Sequence, residues 1–174
     1  MLDRIDELAT HAEDLAGVRL AAFFHDAVYD PTRDDNEERS AQLAEDNLPD
    51  LGFSGSKVAA VARLVQLTAT HDPADGDVDG AVLCDADLAV LAAPPAEYAA
   101  YASAVRAEYA HVDEPAFRSG RAAVLETLLS RPLLFRTEPG RRHWEQAARH
   151  NVETELTLLR GRSARGASPQ PSAG

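Results

Sequence analysis

The chain has 174 residues, of which 45% are hydrophobic and 6% aromatic, so it can bury one core and most readily forms a single domain. Its 17 basic and 29 acidic side chains give a formal net charge of −12, which disfavours binding to the phosphate backbone of a nucleic acid. No apolar run approaches the roughly 20 residues of a membrane span, so an integral membrane helix is not expected. An anionic substrate would need a local positive centre, such as a bound metal ion.

The amino terminus and the cysteine content favour a cytoplasmic protein. The first seven residues, Met-Leu-Asp-Arg-Ile-Asp-Glu, lack the basic and apolar regions of a signal peptide, so none is expected. The single cysteine, Cys84, excludes an intramolecular disulfide and a cysteine-rich zinc site. A reducing compartment is consistent with both features.

Apolar residues recur at helical spacing along most of the chain, and no stretch alternates with a period of two. Gly17 and Pro31 mark helix ends, whereas Asn36 and Ser56 are suitable residues to cap helices. The expected helices cover residues 2–17, 18–29, 37–48, 57–71, 81–92, 95–110, 115–130 and 141–160.

This pattern predicts an all-α fold, a single bundle of about seven to eight helices over residues 1–161. Residues 162–174 consist of Ser, Gly, Ala, Pro and Gln with two arginines. Such a segment cannot bury enough apolar surface to offset its ordering entropy, so we expect a disordered tail.

The first candidate for chemistry is the pair His25-Asp26, within the apolar stretch from Ala21 to Tyr29. Burying an imidazole and a carboxylate on an apolar helix is costly unless both are satisfied. A divalent ion with mixed nitrogen and oxygen ligands would satisfy both. The structural alternative is a neutral His25 bonded to the backbone, with Asp26 at a helix edge.

The second candidate is the segment Cys84-Asp85-Ala86-Asp87-Leu88. Its two aspartates are two positions apart, so on a helix they point to nearly opposite sides. Asp87 shares a face with apolar residues, which predicts a buried carboxylate in need of a partner, and Asp85 is the second choice. The structural alternative is that both aspartates only stabilise the N-terminal end of the helix through its dipole.

The third candidate is an acidic loop in which Asp75, Asp77, Asp79 and Gly80 match the first half of a calcium-binding loop. The twelfth position of that pattern, which requires a bidentate glutamate, is Ala86. A calcium-binding module is therefore a minor alternative to a solvated loop.

Two further residues suit contacts to a phosphate. Arg39 offers a guanidinium for bidentate binding, although a charge on a first helical turn is usually a surface charge. His71 either caps the end of a helix or reaches a site. The chain has no Walker loop, no G-x-G-x-x-G and no G-x-S-x-G motif, which argues against nucleotide-loop and serine-hydrolase proteins.

Taken together, these stretches resemble the HD superfamily of metal-dependent phosphohydrolases, and more narrowly a bacterial family described as predicted metal-dependent HD phosphohydrolases. The resemblance spans residues 20–160, with the HD segment Ala22-Phe-Phe-His-Asp-Ala-Val-Tyr-Asp30 as its most recognisable part. The other matching stretches are 35–41, 83–89, 105–112, 120–121 and 148–156.

The resemblance implies an HD-domain-like helical bundle in which a histidine, a His-Asp pair and a distant aspartate surround one or two divalent ions. His25 and Asp26 are then metal ligands and Asp87 the distant ligand, with Asp85 as the fallback. The family's first histidine belongs on the helix before the pair, where this chain has only His11, near that helix's end. We therefore expect a truncated first helix and a site with three protein ligands.

The implied function is that of a cytoplasmic hydrolase that cleaves a small phosphate ester, such as a nucleotide, with a water activated by Mn²⁺, Fe²⁺, Co²⁺ or Zn²⁺. His25 and Asp26 are the predicted catalytic residues, and Arg39 and His71 the predicted contacts to the substrate. The expected partner is a small phosphorylated molecule, and neither a nucleic acid polymer nor a membrane. Because the first histidine is missing, a non-catalytic helical binding module is the principal alternative.

Overall fold

A computed structural model describes residues 1–163, and all regular secondary structure within them is helical, which confirms the predicted all-α fold. Two short 3-10 helices, Ala9–His11 and Ala89–Ala92, accompany the α-helices. None of the described helices is both long and apolar enough to cross a membrane. The α-helices of this part of the chain are α1 Leu2–Glu7, α2 Leu15–Phe24, α3 Asn36–Asn47, α4 Gly55–Leu67, α5 Val78–Leu88, α6 Pro95–Glu108, α7 Glu114–Ser130, α8 Glu138–His143 and α9 Glu145–Ser163.

The core lies where α2, α4 and α5 pack on one another, with α3 covering α4 and α1 lying against α5. α9 packs against α7 and against the 3-10 helix over 89–92. Ile5, Leu64, Leu83 and Leu125 come from four different helices, and each is almost completely buried. One continuous core therefore holds α5, which carries both candidate aspartates, at the centre of the described chain.

The helix predicted over residues 18–29 is wrong in its second half. α2 begins at Leu15, with the Asp14 side chain accepting from the Gly17 amide at 3.0 Å, and ends at Phe24. The chain then turns, because the Ser40 hydroxyl of α3 accepts from the Val28 amide at 3.0 Å and donates to the Val28 carbonyl at 3.2 Å. His25 and Asp26 therefore lie in a turn at the end of α2 and not inside a helix.

Two predicted N-caps are shifted along the chain. Asp35 stands at the N-cap of α3, and Asn36, which was expected there, is its first residue. The Asn36 side chain instead holds the preceding loop: its Oδ1 accepts from the backbone N–H of Asp30, and its Nδ2 donates to the backbone carbonyl of Asp30. α4 is capped by Ser54, whose hydroxyl accepts from the Lys57 amide at 3.3 Å, and not by Ser56.

The final helix predicted over 141–160 is two helices that meet at Trp144. At this junction the Trp144 ring packs edge-to-face on Phe135, with ring centroids 5.5 Å apart. The Glu145 carboxylate accepts from the amides of Leu134 and Phe135, which fixes the segment before α8. α9 runs through residue 163, so it includes the first two residues of the predicted tail, and 164–174 lie outside the described residues.

Candidate active site

Three separate segments bring four ionisable side chains together: the turn after α2, the end of α4 and the last turn of α5. His25 Nε2 lies 3.1 Å from Asp26 Oδ2 and 3.6 Å from Asp87 Oδ1. His71 Nε2 lies 2.7 Å from Asp87 Oδ2. We call His25, Asp26, His71 and Asp87 the His–Asp cluster. Its centre is Asp87, whose two oxygens each face a different imidazole.

The ring of His25 is held in one orientation by the backbone of α2. Its Nδ1 is 2.8 Å from the Ala22 carbonyl oxygen. Because a carbonyl can only accept, Nδ1 carries the proton of that bond, and Nε2 is left facing the carboxylates. Histidines that bind metal ions are commonly oriented in this way by a bond from their second nitrogen.

Charge pairing controls protonation within the cluster. Burial disfavours the charged form of His25, but hydrogen bonds to Asp26 and Asp87 outweigh burial and raise the pKa of His25 to about 10. Burial likewise opposes the charge of Asp87, yet hydrogen bonds from His25 and His71 hold its pKa well below the usual range. His25 and Asp87 are therefore a pair of opposite charges at neutral pH.

His71 reaches the cluster through a strained turn. It follows the end of α4, donates its amide to the Leu67 carbonyl at 3.0 Å and has a φ of +50°. This left-handed conformation is unfavourable for a residue other than glycine and persists where surrounding contacts enforce it. The Arg131 guanidinium supplies such contacts, donating to the carbonyls of Thr70 at 2.8 Å and His71 at 3.0 Å.

Asp85 lies away from the cluster and has its own partners. Its side chain is fully buried and accepts from the Arg136 amide, the Thr137 amide and the Thr137 hydroxyl, each at 2.7 Å. Burial raises the pKa of Asp85 despite these bonds. Asp85 is thus the more buried of the two aspartates, contrary to the expectation for Asp87, and it holds the start of α8 against α5.

The other sequence candidates lie elsewhere. Arg39 is exposed on α3 and does not line the cavity beside the cluster. Asp77 caps α5 and pairs with Arg63, and Asp79 accepts from the backbone amides of residues 13–14. Asp75 is exposed. Asp77 therefore fixes the start of α5, and Asp79 fixes the start of α2.

A cavity of about 940 Å³ opens beside the cluster, a volume typical of sites for small molecules. Asp26, His71 and Asp87 line it, and the Tyr29 hydroxyl donates to Glu108 at 2.9 Å on the same lining. Most of the remaining lining comes from α6 and α7, which sequence reasoning did not connect to the site. The lining residues of these two helices include Tyr101, Val105, Phe117, Arg121, Val124 and Leu128.

No group of three or more His, Cys, Asp or Glu side chains forms a ready metal centre within the described part of the chain. The donor chemistry of the His–Asp cluster nevertheless fits a divalent ion, because it combines imidazole nitrogens with carboxylate oxygens. These atoms bond to one another as described, so an ion can bind only when the histidine–aspartate bonds open and His25 loses the proton on Nε2.

Comparison with known proteins adds no relative. No protein-family profile, no curated protein and no solved structure matches this chain. The basis for assigning a function is therefore the chemistry of the cluster and its cavity, together with the motif resemblance.

Proposed function

We propose that this chain is a metal-dependent phosphohydrolase of the HD superfamily that cleaves a small phosphate ester such as a nucleotide. One observation carries the proposal: His25 Nε2 lies within 3.6 Å of carboxylate oxygens from both Asp26 and Asp87, and these two aspartates line a cavity. His25 and Asp87, which are 62 positions apart along the chain, thus meet beside a cavity that a substrate can enter.

The proposed ligands of the divalent ion are His25, Asp26 and Asp87, with His71 as a second imidazole. When bound, such an ion acidifies water and polarises a phosphoryl oxygen. Mn²⁺, Fe²⁺, Co²⁺ and Zn²⁺ all suit a set of imidazole and carboxylate donors. His71 supplies the second histidine that the resemblance places on the first helix, and it does so from the end of α4.

The protein groups contribute in different ways. The Ala22 carbonyl orients His25, and Arg131 holds the turn that presents His71. Asp26 has the most exposed side chain of the cluster, at 66%, so it is the carboxylate best placed to accept a hydrogen bond from a water that enters the cavity. The apolar walls hold the rest of the ester away from solvent.

The charge of the cavity explains why a cation is needed. Asp26, Asp87 and Glu108 all line it, and a phosphate dianion would be repelled by these carboxylates. Arg121 also lines the cavity, but the charge of Glu155, which bonds to two of its nitrogens, offsets its own and leaves the excess of carboxylates in place. We therefore expect phosphate esters to bind productively only in the presence of a divalent ion.

A non-catalytic binding module is the second candidate, and one observation favours it. The donors of the cluster bond to one another, and no three-donor metal centre is preformed among the described residues. Such a module would use the same cavity without turnover. Binding of a phosphate ester with no hydrolysis at any metal concentration would identify it.

The test is phosphatase turnover by the full chain, first treated with a chelator and then supplied with Mn²⁺, Co²⁺, Zn²⁺ or Mg²⁺. p-Nitrophenyl phosphate and a panel of nucleoside monophosphates serve as substrates. We expect turnover that depends on Mn²⁺ or Co²⁺ and is lost in Asp26→Ala. Asp50→Ala removes an exposed carboxylate outside the cavity and is the matched control. An inactive wild type with every ion, or equal turnover in the two variants, would refute the proposal.

A further inference from the structure

We propose that Arg121 binds an oxygen acceptor, such as a carboxylate, on an aromatic leaving group of the substrate ester. This proposal rests on the phosphohydrolase function and assigns the specificity of the same cavity. Arg121 would make the enzyme discriminate between esters by their leaving group, which is the part of the substrate away from the reacting phosphate.

The side chain of Arg121 is a charged group that hydrolysis does not use. It projects from α7, lines the cavity and is only 11% exposed. Its Nε donates to Glu155 Oε1 at 2.8 Å, and its Nη2 donates to Glu155 Oε2 at 3.1 Å. No hydrogen bond from its Nη1 is found among the described residues, and we infer that this edge of the guanidinium can donate to a ligand in the cavity.

Glu155 holds the Arg121 guanidinium in place through its Nε and Nη2. It belongs to α9, its side chain is 12% exposed, and it also accepts from the Tyr98 hydroxyl of α6 at 2.5 Å. Residues of α6, α7 and α9 are thus joined at the Glu155 carboxylate, which holds Arg121 in position. Burial opposes the charge of Arg121, but the bonds to Glu155 outweigh it and raise the pKa, so the guanidinium stays charged. A cation fixed in this way can bind a ligand without losing much side-chain entropy.

The surroundings of Arg121 favour an aromatic ligand. The guanidinium carbon lies 5.7 Å from the ring centroid of Tyr101, and Tyr109 and Phe117 line the same cavity with ring centroids 6.2 Å apart. Aromatic walls bind planar rings by stacking and edge contacts. A ring that carries an oxygen acceptor would use both the aromatic walls and the free edge of Arg121.

Benzyl phosphate and its 3- and 4-carboxybenzyl analogues test the proposal, because the methylene group keeps the leaving alcohols similar in acidity. We expect the wild type with Mn²⁺ to prefer at least one carboxybenzyl ester by about tenfold in kcat/KM, the size of one charge-assisted hydrogen bond. Arg121→Gln should abolish that preference, so that kcat/KM falls about tenfold more for the preferred carboxybenzyl ester than for benzyl phosphate.

Glu155→Gln separates ligand binding from a structural role. This variant keeps Arg121 but removes the neutralising carboxylate, so the preference for a carboxybenzyl ester should increase. If the pair only stabilised the fold, both variants would lose activity on all three esters to the same extent, and the proposal would fail. No preference in the wild type, or an unchanged preference in Arg121→Gln, would also overturn it.

A binding measurement distinguishes failure of the Arg121 site from failure of the phosphohydrolase function. Benzylphosphonate and its carboxybenzyl analogues are not hydrolysed, and calorimetry gives their affinity for the wild type and for Arg121→Gln. If no ester is turned over but a carboxybenzylphosphonate binds about tenfold more tightly only when Arg121 is present, catalysis is refuted and the Arg121 site is supported. Equal affinities would overturn the Arg121 site.

Discussion

Asp85 and Asp87 are two residues apart on α5 and serve different purposes. Asp87 faces His25 and His71 at the cavity, whereas Asp85 accepts three hydrogen bonds from Arg136 and Thr137. We expect Asp87→Asn to lower kcat/KM at least about 100-fold while the protein stays folded. We expect Asp85→Asn to lower the free energy of unfolding by about 2 kcal/mol and to retain turnover.

Urea unfolding and steady-state kinetics on both variants check this contrast. Since the two substitutions are chemically identical, the comparison isolates the position of each carboxylate. A folded Asp85→Asn without activity, beside an active Asp87→Asn, would show that the assignment is reversed.

His71 combines a functional side chain with an unfavourable backbone. Its φ of +50° suits glycine better than alanine. We therefore expect His71→Gly to be more stable than His71→Ala by about 1 kcal/mol, whereas both variants lose the imidazole that bonds to Asp87 and most of the turnover. Chemical denaturation of the two variants measures the difference. Equal stabilities would mean that the left-handed turn relaxes without cost.

The sequence predicted part of this site. The apolar face that Asp87 shares predicted that it would be the more buried aspartate, which is wrong because Asp85 is fully buried. The choice of Asp87 as the distant ligand came from the family resemblance, and the structure places Asp87 beside His25. The position of His71 in the cluster was only one of two interpretations, because its φ and its contact with Arg131 depend on a partner 60 residues away. Local sequence contains no signal for such a contact.

At the scale of elements, α3 shapes the turn that carries His25 and Asp26. The buried Ser40 hydroxyl bonds to both backbone groups of Val28. Ser40→Ala leaves those groups without a partner, so we expect a loss of about 1 kcal/mol in stability and a several-fold decrease in kcat/KM. Thermal unfolding and kinetics provide the measurement. Ser103→Ala, which removes an exposed hydroxyl bonded within α6, is the control and should change neither quantity.

The start of α2 is tied to α4 by the ion pair between Asp14 and Lys57. The hydrogen bond from Lys57, together with that from the Gly17 amide, lowers the pKa of Asp14 below 3.8 in the folded protein. A lowered carboxyl pKa stabilises the fold above that value and loses its effect as the pH falls through the folded-state pKa. Lys57→Met should therefore cost at most about 1 kcal/mol at pH 7, since the pair is partly open to solvent.

Urea unfolding of wild type and Lys57→Met at pH 7 and near pH 3 tests this dependence. The difference in stability should shrink in acid. A difference that is the same at both values would assign the effect of Lys57 to packing of its aliphatic chain.

Helical periodicity predicted where most elements lie, but the ends of two of them were set by contacts between distant residues. α2 stops at Phe24 because Ser40 satisfies the backbone of Val28 in place of a continued helix. The last helix is interrupted at Trp144, whose ring packs on Phe135 from the segment before α8. Neither residue is a glycine or proline, so no local signal marked either end.

At the scale of the whole molecule, the cavity depends on helices that lie far from the His-Asp pair in sequence. Tyr101, Phe117 and Leu128 line it, although their spacing on α6 and α7 is that of ordinary core residues. Sequence periodicity cannot distinguish an apolar side chain that lines a cavity from one that fills a core. The all-α fold was therefore predictable, whereas the substrate-facing wall was not.

The formal charge of −12 also matters at this scale, because a strongly acidic protein attracts divalent ions to many surface carboxylates. Specific binding must therefore be separated from this general attraction. Asp50→Ala and Asp87→Asn each remove one negative charge, the first from the surface and the second from the cluster. Comparing metal binding by these two variants therefore distinguishes binding at the cluster from general attraction to the acidic surface.

The most direct test of a shared cation site is the titration of Mn²⁺ into the chelator-treated protein, followed by electron paramagnetic resonance of the free ion. We expect the wild type and Asp50→Ala to bind at least one Mn²⁺ per chain and to gain thermal stability from it, since the ligands come from separate segments. Asp87→Asn should lose both effects. A wild type that binds no Mn²⁺ at saturation, or an Asp87→Asn variant that binds it equally well, would contradict the metal site and the hydrolase assignment with it.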